Sequence, residues 1–169
     1  MFRTLTRALA VVPIGLALLI PITASASTGP SIVLDDTATR AGLNLVLPVQ
    51  ITCDSSSTSF GWPATAQIHV VQANGNSSVA VGVGNLGGFG PMPGGQQINC
   101  NGLPNTYNVL IAPDLQTDPY TASFSGGPAT ASGSLTTTTL VTQCFPWGCF
   151  QMPVQQTISV GPQTIHVKG

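Results

Sequence analysis

The stretch LNLVLPVQITC, residues 43–53, places an apolar side chain or a cysteine at every odd position. Its even positions carry Asn, Val, Pro, Gln and Thr. This period of two residues predicts a β-strand with one buried face. Because Pro48 has no backbone N–H, we expect the strand to lie at a sheet edge or to be bulged there. The expected inward side chains are Leu43, Leu45, Leu47, Val49, Ile51 and Cys53.

The rest of the chain also favours strands. Runs free of Gly and Pro reach only about a dozen residues, and they are rich in Val, Ile and Thr, which favour strands. Gly and Pro recur between these runs at the spacing typical of a sandwich or barrel. Asn74-Gly75 is a hairpin-turn signal, and the Gly- and Pro-rich residues 85–95 indicate a loop. The further predicted strands span residues 32–34, 66–73, 78–84, 96–99, 106–112, 129–141, 155–160 and 163–168.

The first residues have the pattern of an export signal. Arg3 and Arg7 precede an apolar run that is interrupted by prolines, and ASA at 24–26 supplies small residues for cleavage. We therefore expect a signal peptide over residues 1–26 and a single mature domain over residues 27–169. The run is short for a membrane span, so the mature chain is expected to be extracellular or associated with the cell envelope, with no stable span after cleavage.

Charge is scarce in the mature chain. Two cations, Arg40 and Lys168, face five aspartates, which gives 2 − 5 = −3, and charged residues make up only 5% of the whole sequence. Such a chain cannot neutralise a row of phosphates, which argues against nucleic acid as a partner. A surface with so few charges also has weak protection against self-association.

Four cysteines in an exported chain indicate two disulfides, for which three pairings exist. Cys53 and Cys100 both lie on the apolar faces of their predicted strands, which suits a bridge across the core. We therefore expect Cys53–Cys100 and Cys144–Cys149.

Several segments resemble a known group of proteins. VQITC, AQIHVVQANG, INCNGLPNTYNVLIAP and FSGGPATASGSL are similar to parts of small exported Ig-like β-sandwich proteins of actinobacteria, many of uncharacterised function. The resemblance covers roughly residues 43–134. It implies an all-β fold, an Ig-like antiparallel sandwich with Greek-key-type connections.

Catalytic and metal-binding groups are few. His69 and His166 alternate with apolar neighbours, so both are expected to face solvent. A metal pair would need further ligands, yet the thiols are expected in disulfides and the chain has no glutamate. Asp114 and Asp118 are interpreted as turn formers. We therefore predict no enzymatic activity, no cofactor and no metal site.

The segment CFPWGC, residues 144–149, concentrates aromatic side chains in a ring that two cysteines can close. A redox dithiol is normally C-x-x-C at a helix N-terminus, whereas this is C-x4-C between strand-like segments. Two interpretations stay open: the aromatic side chains cover one end of the core, or they anchor a partner. The candidate binding residues are Phe145, Pro146, Trp147 and Phe150.

The sequence thus predicts a secreted, non-enzymatic binding or envelope- or matrix-associated protein, whose partner is an unknown protein, glycan or small molecule. One alternative is a carrier of an apolar small molecule, because the exported apoproteins of enediyne chromophores look similar in outline. Another is a protease inhibitor that presents the Cys144–Cys149 loop.

Overall fold

The computed structural model describes residues 29–55, 62–75, 78–88 and 96–169. The expected signal peptide, residues 1–26, lies outside the described residues. Every regular element within them is a β-strand, which confirms the all-β prediction. The strands are β1 (Ser31–Leu34), β2 (Thr37–Ala41), β3 (Asn44–Thr52), β4 (Thr65–Asn74), β5 (Ser78–Gly87), β6 (Asn105–Pro113), β7 (Gly127–Phe145) and β8 (Gly148–Lys168).

Seven strands close into a barrel. Their order is β3-β2-β8-β7-β4-β5-β6, and β6 pairs back onto β3. β1 pairs with β3 beside β2, because β1 contacts the second half of β3 and β2 contacts the first half. All pairings are antiparallel except that of β2 with β8.

The expected two-sheet Ig-like sandwich is not confirmed, since the described strands form one continuous sheet. The connection is made at two places. β4 pairs with β5 along its whole length, from Thr65↔Gly87 to Asn74↔Ser78, and the end of β8 pairs with β2. With these two pairings in place, no gap in hydrogen bonding divides the strands into separate layers.

The barrel interior follows the alternation of the sequence. The odd positions of β3 from Leu45 to Ile51 are fully buried, and so is Cys53 immediately after the strand. Leu43, which was expected to share that face, is exposed because β3 begins only at Asn44. Gly84 of β5 leaves room for the side chains around it. A Cβ at this position would lie 2.5 Å from Cδ1 of Ile111.

Pro48 does not mark a sheet edge, because β3 is paired on both sides. It lies between the residues that pair with β1 and those that pair with β2. Its carbonyl oxygen accepts a hydrogen bond from the Asp35 backbone N–H at the corner between these short strands. In an antiparallel strand, the N–H and C=O of one residue face the same neighbour. The missing donor of Pro48 therefore faces this corner, where no ladder bond is required.

Both disulfides join the expected cysteines. Cys53–Cys100 is buried and ties the end of β3 to the segment that precedes β6. Cys144–Cys149 links directly opposite residues of β7 and β8 near their turn.

Other strand boundaries differ from the predictions. The predicted strand 96–99 is not a strand, although Ile98 is buried, and β2 was not predicted at all. β5 continues to Gly87, so the first three residues of the predicted loop 85–95 belong to a strand, and residues 89–95 lie outside the described residues. The two strands predicted over 155–160 and 163–168 are parts of the single long strand β8.

Candidate functional site: the β7–β8 arm and its aromatic tip

β7 and β8 extend beyond the barrel as a two-stranded ribbon. The pairing of β7 with β4 ends at Thr136↔Thr65, whereas its pairing with β8 continues to Phe145↔Gly148. We call residues 137–157 the arm. Since a strand rises about 3.3 Å per residue, the nine residues 137–145 span about 30 Å. The first two of them, Thr137 and Thr138, are still buried at the base of the arm. The turn of the arm is therefore carried well away from the barrel core.

One face of the arm is apolar. Side chains of directly paired residues lie on the same face of an antiparallel ribbon. The pairs Thr139↔Val154, Val141↔Met152 and Gln143↔Phe150 therefore share one face, and the alternate pairs Thr138↔Gln155, Leu140↔Pro153 and Thr142↔Gln151 share the other. All the large apolar side chains of the first face are substantially exposed. This apolar face consists of Val141, Phe145, Phe150, Met152 and Val154.

The tip of the arm, residues 144–150, contains the ring closed by Cys144–Cys149 and a cluster of aromatic side chains. Pro146 and Trp147 form the turn between the paired residues Phe145 and Gly148. Gly148 has a φ of 145°, a value that L side chains rarely adopt, so glycine suits this end of the turn. The rings of Phe145 and Trp147 stack nearly parallel, with centroids 5.2 Å apart, and Phe150 lies 6.5 Å from Phe145.

The tip side chains are not part of the core. Trp147 is 75% exposed and Phe150 is 51% exposed, and neither belongs to the cluster of buried residues that fills the barrel. An exposed indole stacked on a neighbouring ring has fewer conformations to lose when it contacts a partner. The tip thus presents apolar surface in a preorganised shape.

The arm carries no charge. The sequence has no Asp, Glu, Lys or Arg between Pro119 and Ile165. The next residues along β8, His166 and Lys168, lie at the opposite end of that strand from the tip. The side chains of the arm therefore form no ion pair with a partner, and burying the arm does not require the desolvation of a charged side chain.

The other candidate residues lie on the barrel. His69 and His166 are exposed, as expected from their phase. The Asp114 carboxylate accepts hydrogen bonds from the backbone N–H groups of Gln116 and Thr117. The Asp118 carboxylate accepts one from the backbone N–H of Tyr120. Hydrogen bonds from Thr117, side chain and backbone, hold the pKa of Asp114 below its usual value. Both carboxylates therefore stabilise turns.

His69 and Asp114 line one open groove, together with Gln67, Asn85 and Gln116. The groove is lined by both polar and apolar side chains and lies on the outside of the barrel, where β4 and β5 meet the turn after β6. Within the described ranges, no three His, Cys, Asp or Glu side chains lie close enough to hold a metal ion. The described part of the chain also contains no helix that is long and apolar enough to cross a membrane.

Comparison with known proteins adds no relative. No protein-family model, no curated protein and no solved structure matches the chain. The function must therefore be argued from the chemistry of the arm and the barrel.

Sequence reasoning found the tip but missed the rest of the apolar face. Val141, Met152 and Val154 were not singled out, because the predicted strand ended at Val141 and residues 150–154 were not assigned. The signal was present in the alternation of FQMPV, residues 150–154, after the turn. A register that places Cys144 opposite Cys149 would have aligned this segment with the residues that precede the turn.

Proposed function

We propose that this chain is a secreted, non-enzymatic binding protein, associated with the cell envelope or its matrix, whose binding element is the tip of the arm. The observation that carries the proposal is the 75% exposure of Trp147 on a disulfide-closed turn that projects from the barrel. Tryptophan is among the residues most enriched at binding hot spots.

The size of the patch supports the proposal. A fully buried aromatic side chain removes about 150–250 Å² from solvent. Weighting by the exposed fractions of 37% for Phe145, 75% for Trp147 and 51% for Phe150 gives about 300 Å² of aromatic surface. Apolar patches of about 300–600 Å² on monomers are often functional.

Export is part of the same proposal. Both disulfides lie among the described residues, and none of the four cysteines is free. Disulfides persist in oxidising compartments outside the cytoplasm. Together with the export signal expected over residues 1–26, this supports a location outside the cell or in its envelope.

We also infer a relationship to Ig-like domains, which the strand connectivity supports. If β1 and β2 are taken as a split strand A and β3 to β8 as strands B to G, the pairings contain A-B-E-D and C-F-G. These are the two sheets of a constant-type Ig domain. The barrel then arises because C also pairs with D and the second half of A also pairs with G. In this correspondence the arm is an extended F–G hairpin.

Different observations bear on the two alternatives, the protease inhibitor and the small-molecule carrier. A protease inhibitor would use the same exposed tip, so inhibition of a subtilisin-like protease by the purified chain is the assay that would favour it. A carrier of an apolar small molecule would need an enclosed apolar cavity. The grooves found on the described residues are open and lined by both polar and apolar side chains, and none is an enclosed apolar cavity, so they do not favour a carrier.

The proposal is tested by binding to material from the producing cells. The chain from residue 27 contains every described strand and both disulfides and is the form to use. We expect Trp147→Ser to weaken binding to envelope and secreted fractions about 30-fold or more, the effect of a hot-spot loss of about 2 kcal/mol. The matched control is Tyr120→Ser, since Tyr120 is 93% exposed but lies outside the arm. Unchanged binding by the Trp147 variant would refute the proposal.

A further inference from the structure

We propose that the surface bound by the tip is a lipid surface, into whose interface the tip inserts Phe145, Trp147 and Phe150. This inference rests on the proposed binding function of the tip and names the class of its partner. Three observations carry it: the side-chain chemistry of the ring, the absence of charge, and the size and edges of the arm.

The ring offers almost no hydrogen-bonding side chain. Residues 144–150 are CFPWGCF, in which the indole N–H of Trp147 is the one conventional donor outside the backbone. A specific protein partner is usually read by several hydrogen bonds across an interface. A lipid interface instead offers apolar depth beside diffuse polar head groups, where amphipathic aromatic rings are enriched. The tip therefore fits a lipid interface better than a defined protein pocket.

Because the arm has no charged side chain, the proposed lipid surface can be uncharged or anionic. Peripheral proteins that select anionic lipid use clusters of Lys and Arg beside their apolar anchor. The sequence has none between residues 119 and 165. Insertion of the tip then depends on apolar burial alone, and its strength should not change with the charge of the lipid or with salt.

A second copy of the chain fits the tip less well. The three aromatic side chains of the tip expose about 300 Å². A stable protein interface buries about 800 Å² on each partner. Packing of two tips against each other therefore provides less than half of the area that a stable dimer needs.

The open edges of the arm limit the depth of insertion. Within the described part of the chain, residues 137–145 pair with β8 alone, so one side of this strand has backbone groups without a ladder partner. Immersing such groups in hydrocarbon costs several kcal/mol each. We therefore expect the rings to enter the interface by about 5–10 Å while the Thr- and Gln-bearing part of the arm stays among the head groups.

The first test uses Trp147 as its own reporter. The chain has two tryptophans, so Trp62→Phe in the chain from residue 27 leaves Trp147 as the single indole. With phosphatidylcholine vesicles we expect a blue shift of its emission and stronger quenching by shallow than by deep lipid-attached quenchers. The apparent affinity should agree within about twofold between uncharged and partly anionic vesicles, and between about 0.1 M and 1 M salt.

The second test measures vesicle co-sedimentation of variants. Trp147→Ser and Phe150→Ser should each lower partitioning about tenfold or more, since each removes exposed apolar surface that the lipid would bury. Tyr120→Ser should leave it unchanged. The double variant Cys144→Ser/Cys149→Ser should bind several-fold more weakly, because the ring loses its preorganised shape.

The outcomes separate this inference from the proposed function. If vesicles are not bound but binding to lipid-extracted envelope material still depends on Trp147, the partner is not lipid and the binding function stands. If neither depends on Trp147, both fail. Binding restricted to anionic vesicles would also overturn the inference, because it would require cationic groups that the arm lacks.

Discussion

The two disulfides should contribute unequally to stability, and the structure allows the difference to be worked out. Cys53 and Cys100 are 47 positions apart in sequence, whereas Cys144 and Cys149 are five apart. In the chain-entropy model, closing a loop of about 48 residues stabilises the fold by about 4 kcal/mol, and closing one of about six residues by about 2 kcal/mol. The expected ratio is therefore about two to one.

The positions of the bridges widen this difference. Cys53 is buried at the end of β3 and packs in the barrel core, so Cys53→Ala/Cys100→Ala also loses apolar contacts. The Cys144–Cys149 bridge lies at the end of a ribbon that is marginal by itself. When it is removed, the arm can fray in the native state and regain entropy, which offsets part of the loss. We therefore expect the tip variant to lose less than about 2 kcal/mol.

Urea unfolding of the chain from residue 27 measures both effects. Far-UV circular dichroism follows the barrel, because it contains most of the strands. The free energy of unfolding of Cys53→Ala/Cys100→Ala should fall by about 4 kcal/mol or more, and that of Cys144→Ser/Cys149→Ser by less than about 2 kcal/mol. Equal losses, or a larger loss from the tip bridge, would contradict both the loop argument and the separate role of the arm.

Four further outcomes are expected. Trp147→Ala should change the free energy of unfolding by about 0.5 kcal/mol or less, since the side chain lies outside the core; a loss of about 3–5 kcal/mol would show that it covers the core instead. Gly84→Ala should cost about 1–3 kcal/mol in urea unfolding, because its Cβ would lie 2.5 Å from Cδ1 of Ile111 and 2.9 Å from a backbone oxygen; no loss would refute this close packing. NMR titration should find the pKa of Asp114 below its ordinary value, so its contribution to stability is complete above the unfolded pKa and is lost as pH falls through the folded pKa; an ordinary pKa would disprove the turn hydrogen bonds. N-terminal sequencing of exported protein should begin at or near Ser27, and a start at Met1 would exclude cleavage.

The interior of the barrel was largely predictable from the sequence. Alternation located β3 and β4 to within one or two residues and assigned buried positions such as Leu47 and Ile68 correctly. It succeeds there because an apolar face with a period of two can be buried only if the segment is extended. β2 was missed because its sequence TATRA has one buried side chain, Ala38, and so carries no alternation to detect.

Closure of the barrel could not be predicted by the same reasoning. Alternation reports which side of a strand is buried, but not which strand lies beside it. β4 has the same inward residues whether or not its edge pairs with β5, and the pairing of β2 with β8 is made by backbone groups whose partners the sequence does not name. A sandwich and a barrel built from these strands would share most of their core residues.

The arm is the clearest case in which alternation does not show what covers a strand. Phe150, Met152 and Val154 alternate along β8 as the inward residues of β3 do, yet they are exposed because no other described strand or sheet covers their face. Alternation reveals a strand with one apolar face, and in the barrel that face is satisfied by the chain itself. In the arm it is not, and a two-stranded ribbon has no second layer of its own to supply. The same sequence pattern that marks a core in β3 therefore marks, in the arm, a surface suited to burial against something outside this chain.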